Sequence, residues 1–204
     1  MPYNKTIFCL ANSRKTSGRC IAGIEITDDG LATWIRPVSN RDTREISEEE
    51  RRYENGSRAQ TLDIIKIPMT GAAPRHHHVE DHLIDEDYYW EKTGIIGWKD
   101  LTCFTEEPAK PLWIDGGSTF HGLNDKISEQ ESKQLQSSLT LIRPENLNIL
   151  VRSESGFAGR PAKRQVRAEF SYAGSSYILK VTDPIIEEGF LRREDGTYAI
   201  DDAI

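Results

Sequence analysis

Residues 5–38 read KTIFCLANSRKTSGRCIAGIEITDDGLATWIRPV, and this stretch decides the fold. Residues 5–12 (KTIFCLAN) form an apolar-rich run of strand length, and Ser13 to Gly18 is a polar connection containing glycine. Residues 19–27 (RCIAGIEIT) make a second strand. Asp28-Asp29-Gly30 is a turn signal, because Asp and Gly tolerate positive φ. Residues 32–38 (ATWIRPV) give a third strand, which Pro37 confines to an edge or a strand end. Three strands in under forty residues make a meander.

Working outward, residues 61–69 (TLDIIKIPM) predict a fourth strand. Between them, 47–55 predicts a short helix, with Ser47 as cap and Glu50 completing a capping box. Gly71 to Pro74 is a turn, and 105–125, with Pro108, Pro111, Gly116, Gly117 and Gly122, reads as an irregular crossing. Residues 128–138 are polar and suit a second short helix. Strands resume at 139–143 (LTLIR) and 147–152 (LNILVR). In 165–172 Val166, Ala168, Phe170 and Tyr172 alternate with Arg167, Glu169 and Ser171. Ala173-Gly174-Ser175 turns the chain, 176–182 returns, and Asp183-Pro184 ends the hairpin. The chain is therefore expected to be mainly β: two small OB-like (Greek-key) barrels joined by a loop-rich middle segment with a few short helices. The expected boundaries are 1–105 for an N-terminal barrel with a loop-rich extension, 106–138 for a crossing and linker, and 139–204 for a C-terminal barrel.

The 204 residues are 37% hydrophobic with a formal net charge of −7, which suits a folded protein with thin cores and long polar connections. No stretch approaches 18 apolar residues, so no membrane span is expected. Asn12–Lys15 interrupt the N-terminal apolar run too early for a secretory signal. Cys9, Cys20 and Cys103 are too few and too scattered for a disulfide framework, and the expected compartment is the cytoplasm. Cys9 and Cys20, inside apolar runs, read as packed residues.

Charge is unevenly spread. Residues 1–24 hold Lys5, Arg14, Lys15 and Arg19 and no acid, while 152–167 carry Arg152, Arg160, Lys163, Arg164 and Arg167 against Glu154. Residues 80–107 are strongly acidic. Basic stretches of this kind attract phosphate locally, within a Debye length of ~8 Å.

Three groups are candidate nucleic-acid contacts. Ser13, Arg14, Lys15 and Arg19 frame a loop whose Gly18 would let a ligand approach the backbone, with Asn12 as a further donor. The alternative is a solvated hairpin tip. Trp34 and Arg36 alternate on the third strand and share a face, as base stacking beside phosphate contact requires. The alternative is Trp34 as core, with Arg36 paired to an acid such as Glu25. Arg160, Lys163, Arg164 and Arg167 follow a loop containing Gly156, Gly159 and Pro161, suited to clamping a phosphate backbone, or simply to being solvated. His78 and His82 have i, i+4 zinc-ligand spacing, but HExxH and nearby Cys are missing, and Pro74 sits just upstream. Asp81, Asp85, Asp87, Glu80 and Glu86 lack the EF-hand spacing. Neither a Walker A loop nor G-x-S-x-G occurs, and GSTFHG (117–122) sets Ser118 near His121 without a nucleophile elbow. Accordingly no catalytic residue, metal or cofactor is expected.

CLANSRKTSGRCIAGIEI (9–26) with WIRPVS (34–39) resembles the opening of the prokaryotic dual OB domain-containing proteins. HHHVEDHLIDEDYYWEKTG (76–94) resembles their central segment, and RAEFSYAGSSYILKVTDPIIE (167–187) their second OB unit. The family's pattern continues with a further strand beyond the point where this sequence stops, so the resemblance implies a second barrel that is incomplete or closed differently. It also implies a pair of OB folds and a nucleic-acid or nucleotide-binding role in a bacterial stress or defence system. The expectation is a non-enzymatic binding module with nucleic acid or a nucleotide as partner, and protein partners of a defence operon as further candidates. The alternatives are a metal-dependent nuclease or nucleotide hydrolase using the His/Asp-rich segment 76–87, and a protein-interaction adaptor whose acidic middle docks a basic partner.

Overall fold

The apolar runs of 5–38 become β1 (Tyr3–Lys15), β2 (Gly18–Ile26) and β3 (Ala32–Val38), an antiparallel meander. We describe residues 2–27, 29–105, 110–113, 116–135, 137–155 and 161–201 of a computed structural model. A bulge between Cys9 and Ala11 shifts the register of β1, so Ile7 and Cys9 before it and Asn12 after it are all buried. β4 (Asp63–Ala72) returns antiparallel to β1, and β5 (Asp81–Ile84) lies antiparallel to β4 and parallel to β3. The order β1-β2-β3-β5-β4, with β4 back on β1, closes a five-stranded OB barrel. β6 (Glu91–Ile95) adds to β4 outside the closure, and a 3₁₀ helix runs from Trp98 to Phe104. The barrel is filled by Ile7, Cys9, Ile21, Ile35, Ile65, Ile67, Met69 and Ile84, with Ile46, Tyr53, Ala59 and Trp90 from its connections.

The expected helix over 47–55 does not form. Ser47 and Glu50 do exchange the capping bonds, Ser47 N–H to Glu50 Oε2 at 2.7 Å and Glu50 N–H to Ser47 Oγ at 3.2 Å. The carbonyls that would continue a helix are taken elsewhere: Arg51 O by Ala59 N–H, Arg52 O by Trp90 N–H and Tyr53 O by Gly56 N–H. The turns this creates carry Tyr53 inward, where its hydroxyl donates to Asp63 at 2.7 Å. Tertiary bonding overrides a correct local capping signal.

Two compact units divide the chain, Met1–Phe104 with Leu135–Thr140, and Thr105–Gln134 with Leu141–Ile204. Much of the stretch read as linker thus packs within the second unit. Leu112 and Trp113 join its core, Leu112 N–H donates to Tyr177 Oη at 3.0 Å, and Trp113 meets the Tyr177 ring edge-on. In the second unit β7 (Glu145–Glu154), β8 (Lys163–Tyr172) and β9 (Ser175–Lys180) form a meander, its last turn made at Ala173–Gly174 with both residues at positive φ. Residues 139–143, expected as a strand, are irregular where the chain passes from one unit's residues to the other's. The helix over 128–138 contracts to α1 (Glu129–Ser132), with the Ser128–Glu131 capping box at its start. After β9 comes α2 (Pro184–Leu191), unforeseen in the sequence although Asp183 caps it and Pro184 opens it. β10 (Gly196–Ala199) then pairs antiparallel with β7.

The sheet order β10-β7-β8-β9 repeats the logic of the first unit: a three-strand meander followed by a strand that returns to the first. Among the described residues of the second unit, no strand lies beside β9 as β5 lies beside β3; a single bridge, Leu123 to Ile178, meets that edge.

Candidate nucleic-acid interface

The two basic loops singled out by the sequence occupy equivalent places. Ser13–Arg19 is the connection of the first two strands of one OB unit, and 155–162 is the same connection in the other. In OB folds this loop and the face of the second and third strands bind oligonucleotides.

In the first unit the β1–β2 ladder runs to Arg14↔Arg19 and Lys15↔Gly18, with Thr16 at positive φ in the turn. Arg14 is exposed, and Ser13 and Lys15 are half-buried. Arg19 is held beside the turn. Its backbone exchanges two 2.8 Å bonds with Ile46, and its Nε meets Glu48 Oε1 at 3.2 Å. Glu48 also serves Arg51 at 2.6 Å and Arg58 at 3.2 Å. Burial alone would push the Glu48 carboxyl up, but Arg51 and then Arg19 outweigh it and hold it below the usual carboxylate range. Gly18 has a different reason from the one expected: a Cβ there would stand 2.4 Å from Ile46 O, so the glycine admits the chain's own backbone. Asn12 is likewise buried, its amide donating to Ala59 O at 3.1 Å.

Trp34 is half-buried on β3, opposite Ile24, which is opposite Phe8; the Phe104 ring lies 5.8 Å from Phe8. Arg36 is not the exposed guanidinium the alternation suggested. It is 8% exposed, and its Nε donates to Asp81 Oδ1 at 2.6 Å, with Glu80 at 3.9 Å. Arg44 reaches the other Asp81 oxygen at 3.6 Å. The acid named as its alternative partner, Glu25, pairs with Lys5.

In the second unit, Lys163 is exposed opposite Glu154 at the end of the β7–β8 ladder. Arg164 closes α2: it donates to Leu191 O at 2.8 Å and Arg193 O at 2.6 Å, and pairs with Asp195 at 2.8 Å. Arg167 is buried in a two-pronged pair with Glu154, at 2.5 and 2.9 Å, with Asp125 at 3.6 Å. Arg160 lies outside the described residues. Of the ten residues nominated, Arg36, Arg164 and Arg167 thus stand in structural pairs and Arg19 in a partly buried one. Arg14 and Lys163 are exposed, and Lys15 is half-buried.

The histidines do not share a helix face. Residues 75–78 form a turn with His76 at positive φ, while His82 sits on β5, 2.5 Å from the Tyr3 hydroxyl. His78 Nδ1 lies 2.9 Å from Ser138 Oγ, and Ser138 donates its hydroxyl to Glu80. Burial, then the neighbouring Arg36 and His77, push His78 down to about 4, with Asp81 and Glu80 opposing. Among the described residues no three His, Cys, Asp or Glu side chains assemble as a metal-ligand group. Ser118 Oγ accepts from Asn124 N–H, while His121 Nε2 meets Ser155 instead.

The His78 environment fixes the sign of a pH effect. The unfolded chain takes up this proton near 6.5 and the folded protein only near 4, so between those values the unfolded state binds more protons. Stability contributed here is complete above pH 6.5 and is lost as pH falls towards 4. His78→Gln, which can keep the Ser138 bond, is expected to lose less of its urea midpoint between pH 7 and 4.5 than the parent. Parallel losses would show that His78 is not the titrating group.

A separate groove in the first unit, about 370 Å³, is lined by Glu49, Glu50, Arg52, Glu86, Asp87, Tyr88 and Tyr89. Arg41 grips Glu50 with two 2.7 Å bonds, and Arg52 pairs with Glu49, so Glu86 and Asp87 carry the groove's open charge. Among the described residues no helix is long and apolar enough to cross a membrane.

A family profile described as a dual OB-containing domain matches residues 5–204. No curated protein matches, and no solved structure matches.

Proposed function

The chain belongs to the dual OB-containing domain family, and from that premise we propose that it is a non-enzymatic module binding nucleic acid or a nucleotide. OB domains commonly bind nucleic acids. The observation that carries the reading is the equivalent placement of two basic loops, one in each OB unit, at the connection such folds use for oligonucleotides. Arg14, Lys15 and Lys163 supply phosphate contact, Arg160 belongs to the same loop in sequence, and Trp34 lies on the meander face. The buried Arg36 and Arg167 hold the faces in shape. A cytoplasmic role in a bacterial stress or defence system is part of the proposal, and the neighbours of the gene would test it.

Arg14→Ala with Lys15→Ala should weaken oligonucleotide binding while moving stability by under ~0.5 kcal/mol. Binding of a single strand should fall with salt at a slope near −0.7 per phosphate contacted, so the double variant should flatten the slope by about 1.4. Anisotropy titrations across a salt series read both quantities. An unchanged slope and affinity, with a normal melt, would remove this loop from the interface.

The acidic groove supports a second reading, an adaptor that docks a basic peptide against Tyr88, Tyr89, Glu86 and Asp87. It requires binding of a cationic peptide that Glu86→Gln with Asp87→Asn abolishes and that oligonucleotide does not displace. The nuclease alternative gains nothing from His78 and His82, which bond Ser138 and Tyr3.

A further inference from the structure

Phe120 is 89% exposed, more than any other large apolar side chain among the described residues. It does not sit on a slack loop. Gly117 and Lys126 exchange backbone bonds of 3.0 Å each, closing a hairpin. Inside it Thr119 N–H donates to Asp125 at 2.6 Å, and Asn124 N–H donates to Ser118 at 3.0 Å. Leu123 bonds across to Ile178 in both directions, and the Asn124 amide reaches Ser176 O at 2.9 Å, pinning the hairpin along β9. Next to Phe120, His121 O accepts from Arg152 Nη2 at 2.7 Å. Exposing a large aromatic ring has no folding benefit, yet this chain fixes the ring's base from both sides.

The surroundings select the ligand. His121 meets the Phe120 ring edge-on at 4.7 Å, leaving a broad ring surface to solvent. Arg152, its side chain 42% exposed and its Nε 3.6 Å from Glu154, meets the loop at His121 O; the exposed Lys126 closes the hairpin with Gly117, and Asp125 is engaged by Thr119 and Arg167. Burial would push Asp125 up, but the Thr119 bonds and then Arg167 hold it below the usual carboxylate range, so it stays an anion paired within the protein. Opposite Arg152 in the ladder, Gln165 has a buried Oε1 without a hydrogen-bond partner. An open ring on a hairpin that also carries Lys126 and is bonded by Arg152 at His121 O matches a planar group carried on an anionic chain.

We infer that Phe120, with His121 and Arg152, is a stacking site for an unpaired base of single-stranded nucleic acid. The inference rests on the proposed nucleic-acid function and adds to it both a strand preference and a residue outside the basic loops. Arg152 positions the loop through His121 O and faces the adjoining phosphate; Phe120 supplies the stacking surface.

The test uses the full chain and labelled oligothymidylate and oligouridylate of about 16 nucleotides, the upper site size for one OB unit. A duplex of equal length is the comparison. Phe120→Leu removes the π-face at an exposed position where folding is indifferent, and Phe120→Tyr restores it. Leu should weaken single-strand binding roughly 5- to 140-fold, the range of one lost stacked base, and leave duplex binding unchanged. Tyr should stay near the parent. Phe120→Trp should show fluorescence quenched on single-strand addition. If the parent binds single strands and Leu binds them equally well, the stacking site is overturned while the proposed function stands. If Leu weakens duplex and single strand alike, the strand preference is wrong. If the parent binds none of the three at low salt, the proposed function itself fails.

Discussion

Arg36→Ala is expected to destabilise the protein by about 3–5 kcal/mol, because it leaves a buried carboxylate without its counter-charge. Asp81 is 1% exposed and holds Arg36 at 2.6 Å, where β5 lies parallel to β3. Arg44, 3.6 Å away and partly exposed, is too remote to compensate alone. Urea unfolding should show the loss as a lowered midpoint. Arg36→Met combined with Asp81→Leu should recover a good part of it, since no charge then remains buried alone at that pair. Affinity for oligonucleotide, measured on the folded fraction, should stay near the parent value. A parent-like midpoint for Arg36→Ala would show that the pair does not hold the barrel closed. A large affinity loss with an unchanged midpoint would return Arg36 to the interface.

Gly23→Ala is expected to cost about 3 kcal/mol or more, at the upper end of overpacking effects. A Cβ at this position would lie 2.2 Å from Phe8 O and 2.8 Å from Phe8 C, both backbone atoms of the paired strand. No rotamer relieves a clash made by the first side-chain carbon, so β1 and β2 must part near the bulge at Cys9. At about 2–4 °C per kcal/mol for a chain of this size, the melting midpoint should fall by roughly 6–12 °C. Gly71→Ala is the control. It also lies in a strand of this barrel, but nothing stands within 4 Å of its Cβ position, and its midpoint should move little. Equal behaviour of the two variants would refute the steric account.

The meander of residues 5–38 and the hairpin of 165–182 were legible because apolar residues at strand spacing meet turn residues at the right intervals. β5 and β6 were not. DHLI and EKTGI carry charges that read as loop, and Asp81 is buried only because Arg36 waits 45 positions away. The same blindness explains the site. Arg36, Arg164 and Arg167 looked like free cations in sequence, while Asp81, Asp195 and Glu154 are brought to them by sheet pairing and by α2. The turn between β1 and β2 was readable from Ser13–Gly18, and it leaves Arg14 exposed and Lys15 half-buried beside it. Phe120 went unremarked because GSTFHG carries no periodicity, and exposure is a property of the fold.

The parallel contact of β3 with β5 also sets an order of assembly. The β1–β2 hairpin closes over two residues, whereas Arg36 and Asp81 must meet across 45, and loop-closure entropy is lost before that contact returns any energy. Local hairpins therefore come first in time and the seam between β3 and β5 comes late. Contacts made after the rate-limiting step govern how fast a fold opens, with little effect on how fast it forms. The buried pair is in this sense a latch on the barrel's lifetime, holding shut a structure that the meander has already shaped.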